Sequence, residues 1–372
     1  MGSYQMKSVS LFSGAGGMDI GVLEAGFDVL ACVEHDPNAC DTLRHNIERE
    51  QRSTKVIEAD IRDVDPTELM KSLRLKEGRL DLLFGGPPCQ SFSQIGKQQG
   101  LEDERGLLLF QMVRFAEVFK PKTVLIENVK GLTTAQGARG ERGEVIRHLA
   151  DALEELGYTV RWQVLTAADY GVAQLRHRVF IVAMSQPDCF QFPQPTHTQG
   201  ASLTYKPYVT AGEVLQGLDT PPRKNGTIPD DSHVDVTPAG DQRRINGVPE
   251  GSHLAKCVDL PAEQRGGLTK KDTTKFLRTH RDKPANTLRC GEVFYHPTQN
   301  RYLTPREYMR LQGYPDTYEL RGPVRGRTGV VKVLDQHRLV ANSVSPPVAR
   351  AVAVSIREAL KCQKSSRRMA TL

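Results

Sequence analysis

The chain has 372 residues and a net charge of +6, from 50 lysines and arginines against 44 aspartates and glutamates. This length suits one large α/β domain and a smaller one. The mild basic excess is compatible with a polyanionic partner, but many metabolic enzymes share it. Seven scattered cysteines without a C-x-x-C pair predict neither a disulfide framework nor a zinc site. With no signal-peptide pattern, no lipidation motif and no apolar run of membrane length, we expect a reduced, soluble, cytoplasmic protein.

The first half of the chain alternates short apolar or β-branched runs with amphipathic stretches, the pattern of βαβ units on a parallel sheet. The predicted strands are 8–12, 27–34, 55–59, 80–84, 123–127, 158–164 and 179–183. The predicted helices between them are 18–25, 37–46, 107–119 and 145–156. Asp36 is placed to cap the second helix, whose first residue is a proline.

The composition changes near residue 187. From there to about residue 251 the chain is rich in Pro, Gly, Thr and Asp, which predicts a separate, loop-rich or irregular β module. Helical patterns return at 304–311 and 346–360.

A glycine turn follows the first predicted strand. Gly14, Gly16 and Gly17 would let a ligand approach the backbone, as in dinucleotide, nucleotide and adenosylmethionine sites. Glu34 and Asp60 end the second and third strands, on the ligand edge of an open α/β sheet. Glu34 could accept hydrogen bonds from ribose hydroxyls and Asp60 one from an adenine amino group, although each could instead only cap its loop. Together they favour an adenosine ligand without distinguishing NAD from S-adenosylmethionine.

A cysteine stands at the same predicted edge. Cys89 follows an apolar strand and the turn Gly85-Gly86-Pro87-Pro88, whose prolines restrict the backbone. A buried inert cysteine is a poor interpretation between a turn and a polar loop. Residues 90–106 have the composition of a mobile lid, although a solvated loop without function remains open.

The motifs of the chain, and their order along it, resemble those of DNA (cytosine-5) methyltransferases of the bacterial restriction–modification type. The resemblance covers nearly the whole chain apart from about 188–275. It is carried by LFSGAGG at 11–17, GGPPCQSFS at 85–93, GKQQGLEDERG at 96–106, ENV at 127–129, QLRHR at 174–178, RDKPANTL at 281–288, LTPREYMRLQGYP at 303–315 and ANSVSPPVA at 341–349.

The resemblance implies an α/β fold with a Rossmann-like class I S-adenosylmethionine-dependent methyltransferase sheet and a smaller, irregular, β-rich target-recognition domain. The expected segments are a catalytic and cofactor-binding domain at 1–187, target recognition at 188–285, a hinge or return segment at 286–335, and a C-terminal helix at 336–372 that completes the catalytic domain. The implied cofactor is S-adenosyl-L-methionine. The implied partner is double-stranded DNA, with no obligate protein partner and a monomeric state.

The resemblance also implies catalytic roles. A Cys89 thiolate adds to C6 of a cytosine and makes C5 nucleophilic, which requires a favourable electrostatic setting for the thiol. Glu127 supplies a proton or hydrogen bond at N3. Arg176 and Arg178 alternate at a strand start, so we expect both on one face, with Arg178 at the cytosine O2. Asn128 would fix the backbone near Cys89. No side chain is evident as the base that removes the C5 proton.

The cofactor roles come from the same resemblance. Phe12 would lie on the adenine face, beside the glycine turn and the ribose-binding Glu34. Asp60 and Ile61 would contact the adenine edge. The chain has Ala341 where the family usually has glycine. The next two residues, Asn342 and Ser343, would complete the pocket.

The target carbon is unreachable inside a duplex, so the base must be flipped out. Basic clusters in 188–285 and the segment 319–329 are candidates for DNA contacts. Two other functions remain open at this point: a tRNA cytosine-5 methyltransferase, and a catalytically inactive DNA-binding homologue. An NAD dehydrogenase would give no use to the Pro-Pro-Cys turn.

Overall fold

The computed structural model describes residues 5–88, 108–137, 139–187, 189–200, 202–224, 228–257, 276–325 and 333–369. These residues divide into two compact units. Unit 1 consists of the described parts of Met1–Leu165, His177–Gln194 and Val348–Leu372, and unit 2 of those of Thr166–Arg176 and Pro195–Pro347. The four functional segments expected from the sequence stay a prediction, because compactness does not test functional boundaries.

Unit 1 contains a seven-stranded sheet of order β3-β2-β1-β4-β5-β8-β6. Its strands are β1 (Met6–Leu11), β2 (Phe27–Glu34), β3 (Lys55–Glu58), β4 (Leu82–Gly85), β5 (Thr123–Val129), β6 (Thr159–Thr166) and β8 (His177–Met184). Strand β7 (Gln174–Leu175), which comes before β8 along the chain, has two residues and belongs to unit 2. The accompanying helices are α1 (Gly17–Glu24), α2 (Pro37–Arg49), α3 (Pro66–Ser72), α4 (Gln111–Phe119) and α5 (Glu144–Glu155). The predicted strands and helices of the first half are therefore confirmed, with ends that differ by a few residues.

The sheet is parallel from β3 through β5, but β8 runs antiparallel to β5. A parallel neighbour requires a crossover of a dozen or more residues. Only a short 3-10 helix (Ala167–Tyr170) and β7 lie between β6 and β8, so the chain turns back. The expectation of βαβ units on a parallel sheet is confirmed for β1 to β5, and it is wrong for β8.

The predicted cap of α2 is confirmed. The Asp36 carboxylate accepts a hydrogen bond from the Ala39 N–H at 3.0 Å, and Pro37 occupies the first turn. This cap fixes the point at which the chain leaves the end of β2, so it also sets the position of Glu34, two residues earlier.

Unit 2 is irregular in its described part. It includes β7 and the two-residue strands β9 (His197–Thr198), β10 (Lys206–Pro207) and β11 (Ala285–Asn286). Its helices are α6 (Ala211–Leu215), α7 (Ala239–Asn246), α8 (Pro305–Gln312) and α9 (Gln336–Asn342). A capping box between Thr304 and Glu307 starts α8, and Arg301 forms a buried ion pair with Glu307 at 2.6 Å. The helix predicted at 304–311 is thereby confirmed.

By length and composition, one stretch of the described residues, Gln336–Cys362, is apolar enough to cross a membrane, contrary to our expectation. Its apolar window is 67% buried inside the protein. The stretch is also divided, since α9 ends at Asn342 and α10 (Pro346–Met369) begins only after residues 343–345. Burial against the rest of the protein accounts for its apolar character.

Cys189 and Cys362 form a disulfide within unit 1. This contradicts the expectation of a chain without disulfides. The two residues are 173 positions apart, and their Cα atoms lie 6.5 Å apart. The spacing of cysteines along the sequence does not predict this pair. The two residues meet only because α10 packs within unit 1.

The centre of the sheet depends on a glycine. A Cβ on Gly85, the last residue of β4, would lie 2.4 Å from the carbonyl oxygen of Leu11 and 3.0 Å from Met112 Sδ. Since Leu11 and Gly85 are register partners, β1 and β4 approach closely where both strands end. Gly85 is therefore required for the spacing of the sheet rather than for an unusual backbone angle.

We expect Gly85→Ala to lower the free energy of unfolding by about 1–3 kcal/mol, because the backbone must shift to admit the methyl group. Urea denaturation would measure this. Gly131→Ala is the matched control, since its Cβ would meet only Val129 Cγ2 at 3.9 Å. Equal stability of the two variants would contradict the close approach.

A buried carboxylic acid lies at the start of α1. Asp19 accepts a hydrogen bond from the Cys32 thiol at 3.2 Å and is fully enclosed. Burial raises the pKa of Asp19 to about 6, against the opposing effect of hydrogen bonds from Ser10 and Cys32. The folded state therefore prefers the protonated acid.

Because the pKa of Asp19 is raised, its contribution to stability is fully present below pH 4 and is lost as the pH rises through 6. The loss amounts to about 3 kcal/mol. We expect Asp19→Asn to remove this decline between pH 4 and pH 7, measured as urea midpoints, while exposed Asp151→Asn leaves it. Parallel pH profiles for wild type and Asp19→Asn would show that Asp19 does not titrate as described.

Candidate functional site

The turn after β1 leaves its backbone open on one side. Phe12 and Gly14 have φ angles of 55° and 54°, in the left-handed region, and Gly16 (φ 76°) precedes α1. A Cβ on Gly14 would meet no atom within 4 Å. The turn can therefore accept a ligand close to its backbone, as the sequence predicted. Phe12 is half-buried at the start of the turn, and Gly17 is buried as the first residue of α1.

Glu34 joins this turn to the end of β2. Its Oε2 accepts the Gly14 N–H at 2.8 Å, and its Oε1 accepts the N–H groups of His35 and Asp36, each at 2.9 Å. Burial alone would raise the pKa of Glu34, but hydrogen bonds from His35, Asp36 and Gly14 outweigh it and the pKa is lowered. The carboxylate is thus held ionised beside the glycine turn. Oε2 keeps capacity to accept from a ligand hydroxyl.

His35 is a neighbour that the sequence analysis missed. Its Nδ1 lies 3.0 Å from Glu34 Oε1 while 72% of its side chain is exposed. The hydrogen bond to Glu34 raises the pKa of His35. In the sequence, only the position of His35 next to Glu34 could have indicated this contact.

Asp60 follows β3 and is engaged by an arginine. Arg62 Nε donates to Oδ1 at 2.9 Å, and Arg62 Nη2 donates to Oδ2 at 2.5 Å. The hydrogen bonds from Arg62 lower the pKa of Asp60 to about 2. The carboxylate remains one-third exposed, and Ile61 beside it is buried. An ionised acceptor is therefore fixed at the loop that was predicted to contact adenine.

The turn that leads to Cys89 is held from the neighbouring strand. The Asn128 side-chain amide donates to the Pro87 carbonyl at 3.0 Å, and its Oδ1 accepts the Val129 N–H at 2.9 Å. This confirms that Asn128 fixes the backbone near Cys89. Cys89 itself and the predicted lid at 90–106 lie outside the described residues.

Glu127 and Arg178 form an ion pair where β5 lies beside β8. Arg178 Nε is 3.0 Å from Glu127 Oε1, and the side chains are 18% and 9% exposed. Glu127 stands directly before Asn128, so the ion pair is one residue from the group that holds the Pro87 turn. Of the predicted catalytic residues, unit 1 brings Glu127 and Arg178 together.

Arg176 does not alternate with Arg178 along a strand, as the sequence analysis expected. β8 begins at His177, so only Arg178 lies in it, and Arg176 belongs to unit 2. Arg176 is the single residue between β7, which ends at Leu175, and β8. Arg176 is buried there, and its Nη2 donates to the Ser343 carbonyl at 3.1 Å.

Unit 2 also holds the other two predicted cofactor residues, at the end of α9. Asn342 Oδ1 accepts a hydrogen bond from the Cys290 thiol at 2.5 Å. Ser343 caps the helix, and its hydroxyl donates to the Val340 carbonyl at 2.8 Å. Ala341 lies within helical α9 and is buried, so its backbone needs no glycine at that position.

An open cavity of about 530 Å³ lies within unit 2. None of the predicted catalytic or cofactor residues lines it. Its lining is polar and consists of Asp235, Gln242, Asn246, Gln299, Asn300 and Arg301.

Known proteins resemble this chain over nearly its full length. The model of the family described as C-5 cytosine-specific DNA methylase matches residues 6–358. The Type II methyltransferase M.NgoFVII of Neisseria gonorrhoeae is 32% identical over 360 residues, which cover 95% of this chain and 87% of that protein. The Type II methyltransferase M.AquIA of Picosynechococcus is 41% identical over 233 residues, which cover 59% of this chain and 92% of that protein.

A solved structure described as a DNA modification methyltransferase encoded within a prophage of E. coli is similar with a TM-score of 0.67. It is 21% identical, and the match covers 96% of this chain and 100% of that one. This likeness confirms the predicted methyltransferase-type α/β fold. Since the family model spans nearly all of the sequence, the chain belongs to the C-5 cytosine-specific DNA methylases and is a DNA cytosine-5 methyltransferase.

Proposed function

We propose that the chain transfers a methyl group from S-adenosylmethionine to C5 of a cytosine flipped out of duplex DNA, through a covalent bond between Cys89 Sγ and C6. The observation that carries this proposal is the ion pair of Glu127 and Arg178, one residue from Asn128, which holds the turn preceding Cys89. An acid and a guanidinium are the two groups that a cytosine ring needs when a nucleophile adds to it.

The chemistry follows from where charge develops. The Cys89 thiolate forms a bond to C6, and the electrons of the C5–C6 double bond move into the ring toward N3. Glu127 donates a proton or hydrogen bond at N3, which makes C5 nucleophilic. S-adenosylmethionine, when bound, supplies an electrophilic methyl group. C5 would take this methyl group as the bond between the methyl carbon and the sulfonium sulfur breaks, which leaves S-adenosylhomocysteine. Water or hydroxide then removes the C5 proton, N3 returns its proton to Glu127, and the C6–S bond breaks to restore the aromatic ring and the thiolate.

The ion pair supports a division of roles between its two members. A cation at 3.0 Å favours the ionised form of Glu127, whereas the reaction needs a proton there. When the cytosine O2 accepts hydrogen bonds from Arg178, the stabilisation of ionised Glu127 weakens. Glu127 can then share the N3 proton. Arg176, by family resemblance alone, assists in placing the base.

The residues of unit 1 are compatible with S-adenosylmethionine. The open backbone at Gly14 and the anchored carboxylate of Glu34 suit the ribose, and the fixed carboxylate of Asp60 suits an adenine amino group. Phe12 and Ile61 supply apolar contacts to the ring. Asn342 and Ser343 are assigned to the pocket from the resemblance alone.

Residues 188–285 are proposed to read the bases that flank the target. Flipping a base costs a few kcal/mol, which contacts to the DNA must offset. The relatives named Type II methyltransferases support a role as the modification half of a restriction–modification system. From the sequence we further propose that the chain acts as a monomer in the bacterial cytoplasm.

Bisulfite sequencing of plasmid DNA from expressing cells tests the function directly, because it reports activity and target sequence together. We expect protected cytosines at one recurring sequence. Labelled-methyl transfer to purified tRNA but not to duplex DNA would instead support the tRNA alternative. DNA binding without any transfer would support an inactive homologue.

We expect Cys89→Ser to abolish methyl transfer while duplex DNA binding persists, because a hydroxyl is a far weaker nucleophile but occupies similar space. Filter binding and labelled-methyl transfer measure the two properties separately. Cys257→Ser, at a buried cysteine of unit 2, is the control and should keep activity. A Cys89→Ser protein with wild-type turnover would exclude the covalent route.

We expect Glu127→Gln to lower kcat by about 10²–10⁴-fold, since the amide cannot supply the N3 proton. Arg178→Lys should also lower kcat, because an ammonium cannot present the fork of donors of a guanidinium. The matched control is Arg161→Lys, on strand β6, where Arg161 Nη1 donates to the Phe190 carbonyl at 2.8 Å. If all three variants lost activity equally, the losses would reflect folding rather than a catalytic role.

A further inference from the structure

Helix α4 places an arginine against the loop that follows β3. Arg114 Nη2 donates to the Ile61 carbonyl at 2.5 Å and to the Val64 carbonyl at 3.0 Å. Arg114 Nη1 lies 3.4 Å from the Arg62 carbonyl. One guanidinium thus holds three carbonyls of a short turn that is about fifty residues away in sequence.

The position of Arg114 is itself fixed. Its guanidinium carbon lies 5.1 Å from the centre of the Phe115 ring, and Phe115 is fully buried in the core of unit 1. Arg114 is half-buried, and this partial burial lowers the pKa of its guanidinium. A rigid donor on a packed helix can therefore hold a loop that lacks regular secondary structure.

The turn receives two separate restraints. Arg62 holds the Asp60 side chain from within the turn, whereas Arg114 holds the Ile61 backbone from outside it. The direction of the Asp60 carboxylate and of the Ile61 N–H depends on the turn that joins them. A group that orders a binding loop before the ligand arrives reduces the entropic cost of binding.

We infer that Arg114 is a positioning residue for adenine recognition, which fixes the turn so that Asp60 and Ile61 meet the adenine edge of the cofactor. This inference rests on the proposed assignment of the cofactor site. Arg114 touches neither the cofactor nor the cytosine in this account, and it acts through the turn.

The test uses two ligands that differ at the adenine edge. S-adenosylhomocysteine carries the 6-amino group, whereas S-inosylhomocysteine has an oxygen in its place and a proton on N1. Isothermal titration calorimetry on the full chain should show that the wild type prefers the adenosine compound by about 10-fold or more, the worth of a hydrogen bond to a charged group.

Arg114→Ala should lose affinity for S-adenosylhomocysteine by about 10-fold while its affinity for S-inosylhomocysteine changes little, so that the preference collapses. In turnover, KM for S-adenosylmethionine should rise more than kcat falls. Arg114→Lys, which can still donate to one carbonyl, should be intermediate, and it replaces the alanine variant if that variant does not fold.

Arg147→Ala is the matched control. Arg147 also extends from a helix of unit 1 to a backbone carbonyl, but it donates to Arg142 and Glu141 and not to the turn after β3. The control should keep the wild-type preference. Equal losses for both ligands in Arg114→Ala, or an unchanged preference, would overturn the inference. A wild type that binds S-adenosylhomocysteine without preference overturns the inference alone, whereas one that does not bind it contradicts the proposed cofactor as well.

Discussion

The close approach of β1 and β4 at their carboxyl ends is the constraint on which the site depends. Gly85 admits the Leu11 carbonyl where a methyl group could not fit, so both strands end side by side. The glycine turn follows Leu11 directly, and the Pro87 turn follows Gly85. The spacing of the sheet therefore determines how near the proposed cofactor loop lies to the turn that precedes Cys89.

Each acidic group of the proposed site in unit 1 already has a partner. Glu34 accepts backbone N–H groups, Asp60 is held by Arg62, and Glu127 is paired with Arg178. Such pairing orients the carboxylates before any ligand binds, and it lowers the pKa of Glu34 and of Asp60. For Glu34 and Asp60 this is an advantage under the proposed function, since both would act as hydrogen-bond acceptors. For Glu127 the proposed mechanism makes the ion pair a restraint that the substrate must relieve, because Glu127 would donate a proton or hydrogen bond at N3.

Much of the fold and of the site could be predicted, because function follows strand ends in an open α/β sheet. Glu34, Asp60 and Glu127 could be singled out once their strands were recognised, and their roles stay predictions. The contact of Asn128 with the Pro87 turn was expected from the resemblance and is observed. The antiparallel direction of β8 was not foreseen, because the apolar run at 179–183 does not show which way its strand runs. Arg176 was expected at the start of this strand, but β8 begins one residue later, at His177. Long-range contacts were also missed: the Cys189–Cys362 disulfide and the arginine contacts to the turn after β3 arise only from packing.

Covalent trapping tests the central claim most directly. Duplex DNA with 5-fluorocytosine at the target position should form a stable adduct, because fluorine cannot leave as a proton does after methyl transfer. Mass spectrometry of the digested complex should locate the nucleotide on the peptide that contains Cys89, and only when S-adenosylmethionine is present. An enzyme that methylates ordinary DNA but forms no adduct with the fluorinated duplex, or forms it on another residue, would contradict the account.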